Sequence, residues 1–217
     1  TWKEYISAIS GPDFNANNPD TWAKLSSEIP LNKIENVEFV VTGSASEIQA
    51  IIGNYSETLS GFPSGLTFSV QGGGQIELTS AQLETLHAAG QCCNFNGENL
   101  VIKVDGPTSV PVLNSLDKNT TASISAVVVD TALSTLKTLT NSNGNNAYTI
   151  AIADKILQAV DLNAIDALTT VDVNASAATK INGAIQDVNK AYASEGIAGL
   201  GSEEVTVTDT ASVSTLN

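Results

Sequence analysis

Residues 205–216 read VTVTDTASVSTL. A β-branched run alternating with Thr leads to a small polar corner at Asp209-Thr210, followed by Val213 and Leu216 at helical spacing. The same order of parts returns more loosely as FVVTGSASEIQAI (39–51), QIELTSAQLETL (75–86), VIKVDGPTSVPVL (101–113), AVVVDTALSTL (126–136) and TTVDVNASAATKI (169–181). A strand-corner-helix phrase that recurs builds a fold by stacking, each copy covering the apolar face of its neighbour.

The corner sets the period. Asp105, Asp130 and Asp154 follow at spacings of 25 and 24 residues; Asn174 comes 20 later and Asp209 a further 35. Upstream, Gly43 and Thr79 are 36 apart, and Thr79 precedes Asp105 by 26. Insertions therefore lengthen some units, notably 53–74 with its GFPSG and QGGGQ turns and 192–203 with SEGIAGLG. TNSNGNNA (140–147) reads as a further surface turn.

Before each corner the apolar residues alternate or run together: Val37, Phe39 and Val41; Leu100, Ile102 and Val104; Val127 to Val129; Ile150 and Ile152. These are sheet positions, expected to be partly buried on both faces. After the corner, helical spacing takes over: Leu83 and Leu86; Val110, Leu113 and Leu116; Leu133, Leu136 and Leu139; Ile181, Ile185 and Val188. Asp, Thr and Ser at the corner accept hydrogen bonds from the free N–H groups of a first helical turn, and a carboxylate there complements the helix dipole. Asp130-Thr131 and Asp209-Thr210 fit that role, Gly43 and Gly106 permit a sharp corner, and Pro107 suits a helix start.

Strand-helix-strand repeats predict parallel strands joined by right-handed crossovers. Strands pack about 4.8 Å apart whereas helices need about 8–10 Å, so the stack must bend or some helices must shrink to turns. The expected fold is α/β: a repetitive β/α solenoid with parallel strands and short helices over 36–217, behind an N-terminal helical cap over 1–35. The alternative is a compact open α/β sandwich. Residues 1–35 fit no repeat, and their TWKEYISAIS stripe of Trp2, Tyr5, Ile6 and Ile9 suits a cover for an open end. The chain lacks an initiating Met, and its last phrase stops mid-unit at Asn217. Both lead to the expectation of a chain excised from, and continuing into, a longer protein.

Composition narrows the partners. The chain carries a formal charge of −14; all nine basic residues are Lys, and Arg and Met are absent. Without the Arg fork and with this charge, nucleic acid is an unfavourable partner. No apolar run approaches the length of a membrane helix, so membrane insertion is not expected. The only two cysteines, Cys92 and Cys93, are adjacent, which strains a mutual disulfide and favours free thiols.

No catalytic motif stands out. His87 is the only histidine, with no HExxH pattern around it, and reads as a helix-surface residue. GSASE (43–47) and GFPSG (61–65) lack the spacing of a nucleophile elbow, and QGGGQ (71–75) matches no phosphate-binding loop. The only recurring chemistry is the set of corner carboxylates, Asp105, Asp130, Asp154, Asp172 and Asp209. Stacked along one edge they would be candidate calcium ligands, but no EF-hand or glycine-rich calcium repeat occurs, and helix capping is the preferred reading. No other cofactor is expected. Asn54, Asn119 and Asn174 head glycosylation-type triplets.

The phrases VTVTDTASVSTLN (205–217) and VVVDTALSTLKTL (127–139) resemble the strand-helix repeats of very large bacterial surface or surface-layer-like proteins, many of them cyanobacterial. The likeness covers roughly 100–217, is loose over 36–99, and departs where Gly43 and Thr79 replace the corner Asp. It implies an exported, structural and adhesive role on a cell surface, with neighbouring repeats or copies of the same protein as partners. A phage tail or capsid appendage is the alternative setting. A glycan- or peptide-binding module is the alternative function, with Trp2, Trp22, Tyr55 and Tyr148 as candidate contacts. An enzyme is not expected.

Overall fold

The computed structural model describes residues 39–54, 66–88 and 94–209. The expected cap over 1–35, the candidate contacts Trp2, Trp22 and Tyr55, the Cys92-Cys93 pair and the phrase end after Asp209 lie outside the described residues. The fold is mixed α/β with mostly parallel strands. It divides into two compact units: 1–103 with 118–122, and 104–117 with 123–217.

The first unit contains β1 (Phe39–Ser44), α1 (Ala45–Asn54), β2 (Leu66–Gln71), β3 (Gly74–Thr79), α2 (Ser80–Ala88), β4 (Asn94–Asn96) and the opening of β5 (Leu100–Thr108). β1, β2 and β4 form one parallel sheet, with Phe39 opposite Leu66 and Thr67 opposite Asn94. That register sets Phe68 beside Phe95, whose rings stack with centroids 5.2 Å apart. Ile48, Ile51 and Ile52 on α1 are buried, as are Ile76, Leu78, Leu83 and Leu86. β2 and β3 meet at the QGGGQ turn, where Gly72 and Gly73 take φ of 77° and 72°, a conformation that favours glycine.

The second unit holds the rest of β5, then α3 (Val110–Lys118), β6 (Ser123–Val128), α4 (Leu133–Leu136), β7 (Ala147–Ala151), β8 (Ile156–Gln158) and α5 (Ala159–Asp166). It continues through β9 (Val173–Asn174), β10 (Lys180–Gly183), α6 (Ile185–Ala193), β11 (Ile197–Ala198) and β12 (Glu204–Val207). Its strands fall into two sheets. One runs β11-β9-β7-β6-β5 and the other β12-β10-β8. The registers are parallel and nearly constant in sequence offset: Ser125 faces Ala147, Ile150 faces Val173, and Val173 faces Ile197. In the second sheet Lys180 lies between Ile156 and Glu204, each 24 residues away.

Five expectations need correction. β6 and β7 are covered on one face and not on both: in β6, Ile124, Ala126 and Val128 are buried while Val127 is 45% exposed, the alternation of a half-covered sheet. The final run, at β12, pairs with β10 in its own sheet rather than joining the strands at 100–108, 123–128 and 147–151. Ile181 is a buried strand residue of β10, and the helix starts after it at Ile185. Pro107 ends inside β5, where Gly106 turns the chain with φ of 99°, and α3 begins at Val110. The Leu133-Leu136-Leu139 pattern yields one helical turn, α4, with Leu139 buried beyond its end. A single turn there eases the mismatch between strand and helix spacing.

Candidate functional site

Three of the five corner aspartates do the same thing. Asp130 Oδ2 accepts the Val110 N–H at 2.7 Å, Asp154 Oδ2 accepts the Leu133 N–H at 2.7 Å, and Asp209 Oδ1 accepts the Ile185 N–H at 2.9 Å. Val110, Leu133 and Ile185 are the first residues of α3, α4 and α6. Each donor precedes its aspartate in the chain by 20, 21 and 24 residues, respectively. The carboxylates therefore cap helices, but backwards. Each reaches the helix of the preceding phrase and not the one that follows its own corner. Parallel pairing explains the direction, because it sets the end of each strand beside the point where the preceding phrase turned into its helix. The residues next to the helix starts, Ala132 before α4 and Ala184 before α6, offer no capping side chain, so the borrowed carboxylate satisfies an otherwise open donor.

Asp105 and Asp172 differ. Both are exposed, Asp105 within β5 and Asp172 just before β9, and neither accepts a helix N–H among the described bonds. The structure does not gather the five aspartates into one cluster: among the described residues no three His, Cys, Asp or Glu side chains are grouped as cation ligands. Helix α5 has no aspartate at the corresponding place. Gly183 stands there, and a Cβ on it would lie 3.0 Å from the Cβ of Ala159.

The first unit closes its helices locally. Glu47 Oε2 accepts the Ser44 N–H at 2.8 Å and Ser44 Oγ accepts the Glu47 N–H at 3.4 Å. Gln82 Oε1 accepts the Thr79 N–H at 2.8 Å and Thr79 Oγ1 accepts the Gln82 N–H at 3.2 Å. These are two capping boxes, with Ser or Thr followed three residues later by Glu or Gln. The signal is visible in SASE (44–47) and TSAQ (79–82), where the corner carries no Asp. The bonds from Ser44 hold the Glu47 carboxyl below its ordinary range.

Among the described residues of the second unit, the buried charged group is Asp117, near the end of α3 and 1% exposed. Its Oδ2 accepts from Thr140 Oγ1 at 2.6 Å and Ser142 Oγ at 2.7 Å, and the Ser142 N–H approaches at 3.0 Å. Asn146 Nδ2 donates to its Oδ1 at 2.8 Å. Asn146 is itself buried; its Oδ1 receives the Ile124 N–H and its Nδ2 also reaches Tyr148 Oη. Burial pushes the Asp117 carboxyl up, but the bonds from Thr140, Ser142 and Asn146 outweigh it and hold it below the usual carboxylate range. Burial, helped by the Asp117 charge, pushes the Tyr148 phenol well above its ordinary value. Tyr148 is fully buried and so is not an exposed aromatic for a glycan.

One helical turn before Asp117, Asn114 clasps the same loop. Its Nδ2 donates to Thr138 O at 2.7 Å and its Oδ1 accepts the Thr140 N–H at 2.9 Å. The arrangement recurs in α5. VLNSLD (112–117) and DLNAID (161–166) share the order Leu-Asn-x-x-Asp. Asn163 Nδ2 donates to Asp187 O, and Asp166 Oδ2 accepts from Ser194 Oγ. This spacing is a sequence signal that sits in the helix and not at the corner.

His87 is exposed on α2, as a surface residue should be. Tyr192 Oη donates to Glu203 Oε2 at 2.8 Å, and burial together with that carboxylate pushes the phenol up to about 12. The bonded groups described above hold one stretch of chain against another. Comparison with protein-family models, with curated proteins and with solved structures found no match for this chain.

Proposed function

We propose that this chain is a β/α solenoid segment serving as a non-enzymatic structural or adhesive module of a longer repeat protein on a cell or particle surface. The observation that supports it is a narrow range of sequence offsets, 20 to 24 residues, shared by strand registers and capping bonds. Strand registers step by 24 residues at Lys180, and the side-chain bonds from Asn114 to Thr138, Thr179 to Lys155 and Ile185 to Asp209 span the same 24. Such bonds tie each phrase to the next one, which suits a stack that carries load along its length. The Thr-, Ser- and Asn-rich, acidic composition suits a solvated outer surface. Neighbouring repeats or further copies are the natural partners, with surface glycan as a further one and calcium as the candidate cation.

Two experiments test the reading. Immunogold labelling or surface proteolysis of the intact source should place the segment outside the cell or on a particle. Purely cytosolic labelling, or turnover of a small-molecule substrate abolished by one point mutation, counts against it. Pulling the chain from both ends should release it in steps near one phrase, about 80 Å of extended chain for two dozen residues. A single all-or-none release of the whole second unit would remove the solenoid reading.

A further inference from the structure

We propose that Asn143 is a site of spontaneous covalent ageing, converted through a cyclic imide to aspartate and isoaspartate, and that this conversion loosens the grip on Asp117. The sequence contains three Asn-Gly pairs, Asn96-Gly97, Asn143-Gly144 and Asn182-Gly183. Glycine leaves the attacking main-chain nitrogen unhindered, so all three are chemically competent, and Asn is a thermolabile residue. The fold separates them.

Asn96 ends β4 opposite Ser69, the Gly97 N–H donates to Thr121 Oγ1 at 3.3 Å, and a Cβ on Gly97 would sit 2.7 Å from Val70 O. Asn182 and Gly183 lie in β10, the central strand of its sheet, with Asn182 between Gln158 and Thr206. Ring closure must swing the Asn carboxamide carbon onto the next nitrogen, which requires rotating the main chain out of the extended conformation. Strand pairing forbids that rotation at Asn96 and Asn182 without local opening.

Asn143-Gly144 sits in the turn between α4 and β7. Gly144 has φ of 76°, and nothing lies within 4 Å of where its Cβ would be. The Gly144 N–H donates to Asn141 O at 3.3 Å within the turn, and Asn143 Oδ1 accepts the Asn145 N–H at 3.1 Å. No ladder holds this peptide extended. In the reaction, Gly144 N bonds to Asn143 Cγ, and the side-chain amide nitrogen leaves as ammonia with the proton from Gly144 N. Water then opens the imide at either carbonyl. Opening at the main-chain carbonyl gives isoaspartate, which adds a methylene to the backbone between Ser142 and Asn146. Those two residues both hold Asp117, at 2.7 Å and 2.8 Å, and either product also adds a negative charge to the turn that carries them.

The test is incubation of the folded chain at mildly alkaline pH, continued until a guanidinium-denatured sample has converted, followed by peptide mapping with isoaspartate assignment. In the denatured sample all three pairs should convert comparably. In the folded chain Asn143 should convert, with Asn96 and Asn182 slower by more than about tenfold. Equal rates at the three sites in the folded chain, or retention of Asn143 alongside the other two, would overturn the assignment. Asn143→Ser should abolish both the conversion and the age-dependent fall in Tm. An equal fall in that variant would overturn the link to Asp117.

Discussion

The two units solve the same problem in opposite ways. In the first, α1 and α2 close their own N-termini with side chains three residues apart, Ser44 with Glu47 and Thr79 with Gln82. In the second, α3, α4 and α6 take their capping carboxylate from the next phrase, at Asp130, Asp154 and Asp209. A local box stabilises a helix wherever the next strand lies. A borrowed cap exists only when the following strand has docked in register. The first arrangement makes helices that stand alone; the second makes α3, α4 and α6 each depend on the phrase that follows, which couples neighbouring phrases.

The largest test of that contrast is at Asp117, where the second unit's binding between phrases is densest. Asp117→Ala would leave the buried Asn146 amide without one of its acceptors and release the exposed Thr140 and Ser142, and should cost about 1–3 kcal/mol in chemical denaturation. Val128→Asp, which puts an unpaired charge at a 5% exposed sheet position, should cost at least as much. A wild-type denaturation midpoint in either variant would contradict burial there.

The same residue gives a pH test with a fixed sign. Its folded carboxyl lies below its ordinary 3.8, so the folded state holds the ionised form more tightly than the unfolded chain does. That contribution is complete above about pH 3.8 and is lost as pH falls below it, through the depressed folded value. Asp117→Asn should therefore flatten the fall of Tm with pH below about 3.8, relative to wild type. Parallel acid melts would contradict the tightly held carboxylate.

Next in size are the caps themselves. Asp130→Ala, Asp154→Ala and Thr79→Ala should each cost about 0.5–2 kcal/mol. The contrast lies in where the loss appears: within α2 for Thr79, and one phrase upstream for the aspartates. Excess calcium should shift Tm little while these carboxylates are occupied by N–H groups. A large, chelator-sensitive rise would instead make them cation ligands. The smallest effect belongs to the ion pair between Lys180 and Glu204, 2.8 Å long with both side chains substantially exposed. Lys180→Ala should cost at most about 1 kcal/mol, and less in high salt.

Much of this was legible in the sequence. The β-branched runs located β1, β5, β6, β7 and β12, and helical spacing located α2 and α3. The corner aspartates were legible as caps by chemistry, but their partners were not, since a helix start 20 to 24 residues away is near only after parallel pairing. The splitting of the second unit into two sheets was hidden for a similar reason. β8, β9 and β11 have three, two and two residues, too short to show any period. Asp117 escaped notice because its sequence neighbours do not touch its carboxylate; the donors come from TNSNGNNA, which reads alone as an ordinary turn.

The dependence of α3 and α4 on the phrase that follows is tested most directly by amide hydrogen exchange at single residues in Asp130→Ala and Asp154→Ala. Borrowed capping requires faster exchange at Val110 in the first variant and at Leu133 in the second, with the helix start after each mutated corner unchanged. Faster exchange at Leu133 in Asp130→Ala, with Val110 still protected, would mean that each corner caps its own helix and would contradict the coupling between phrases.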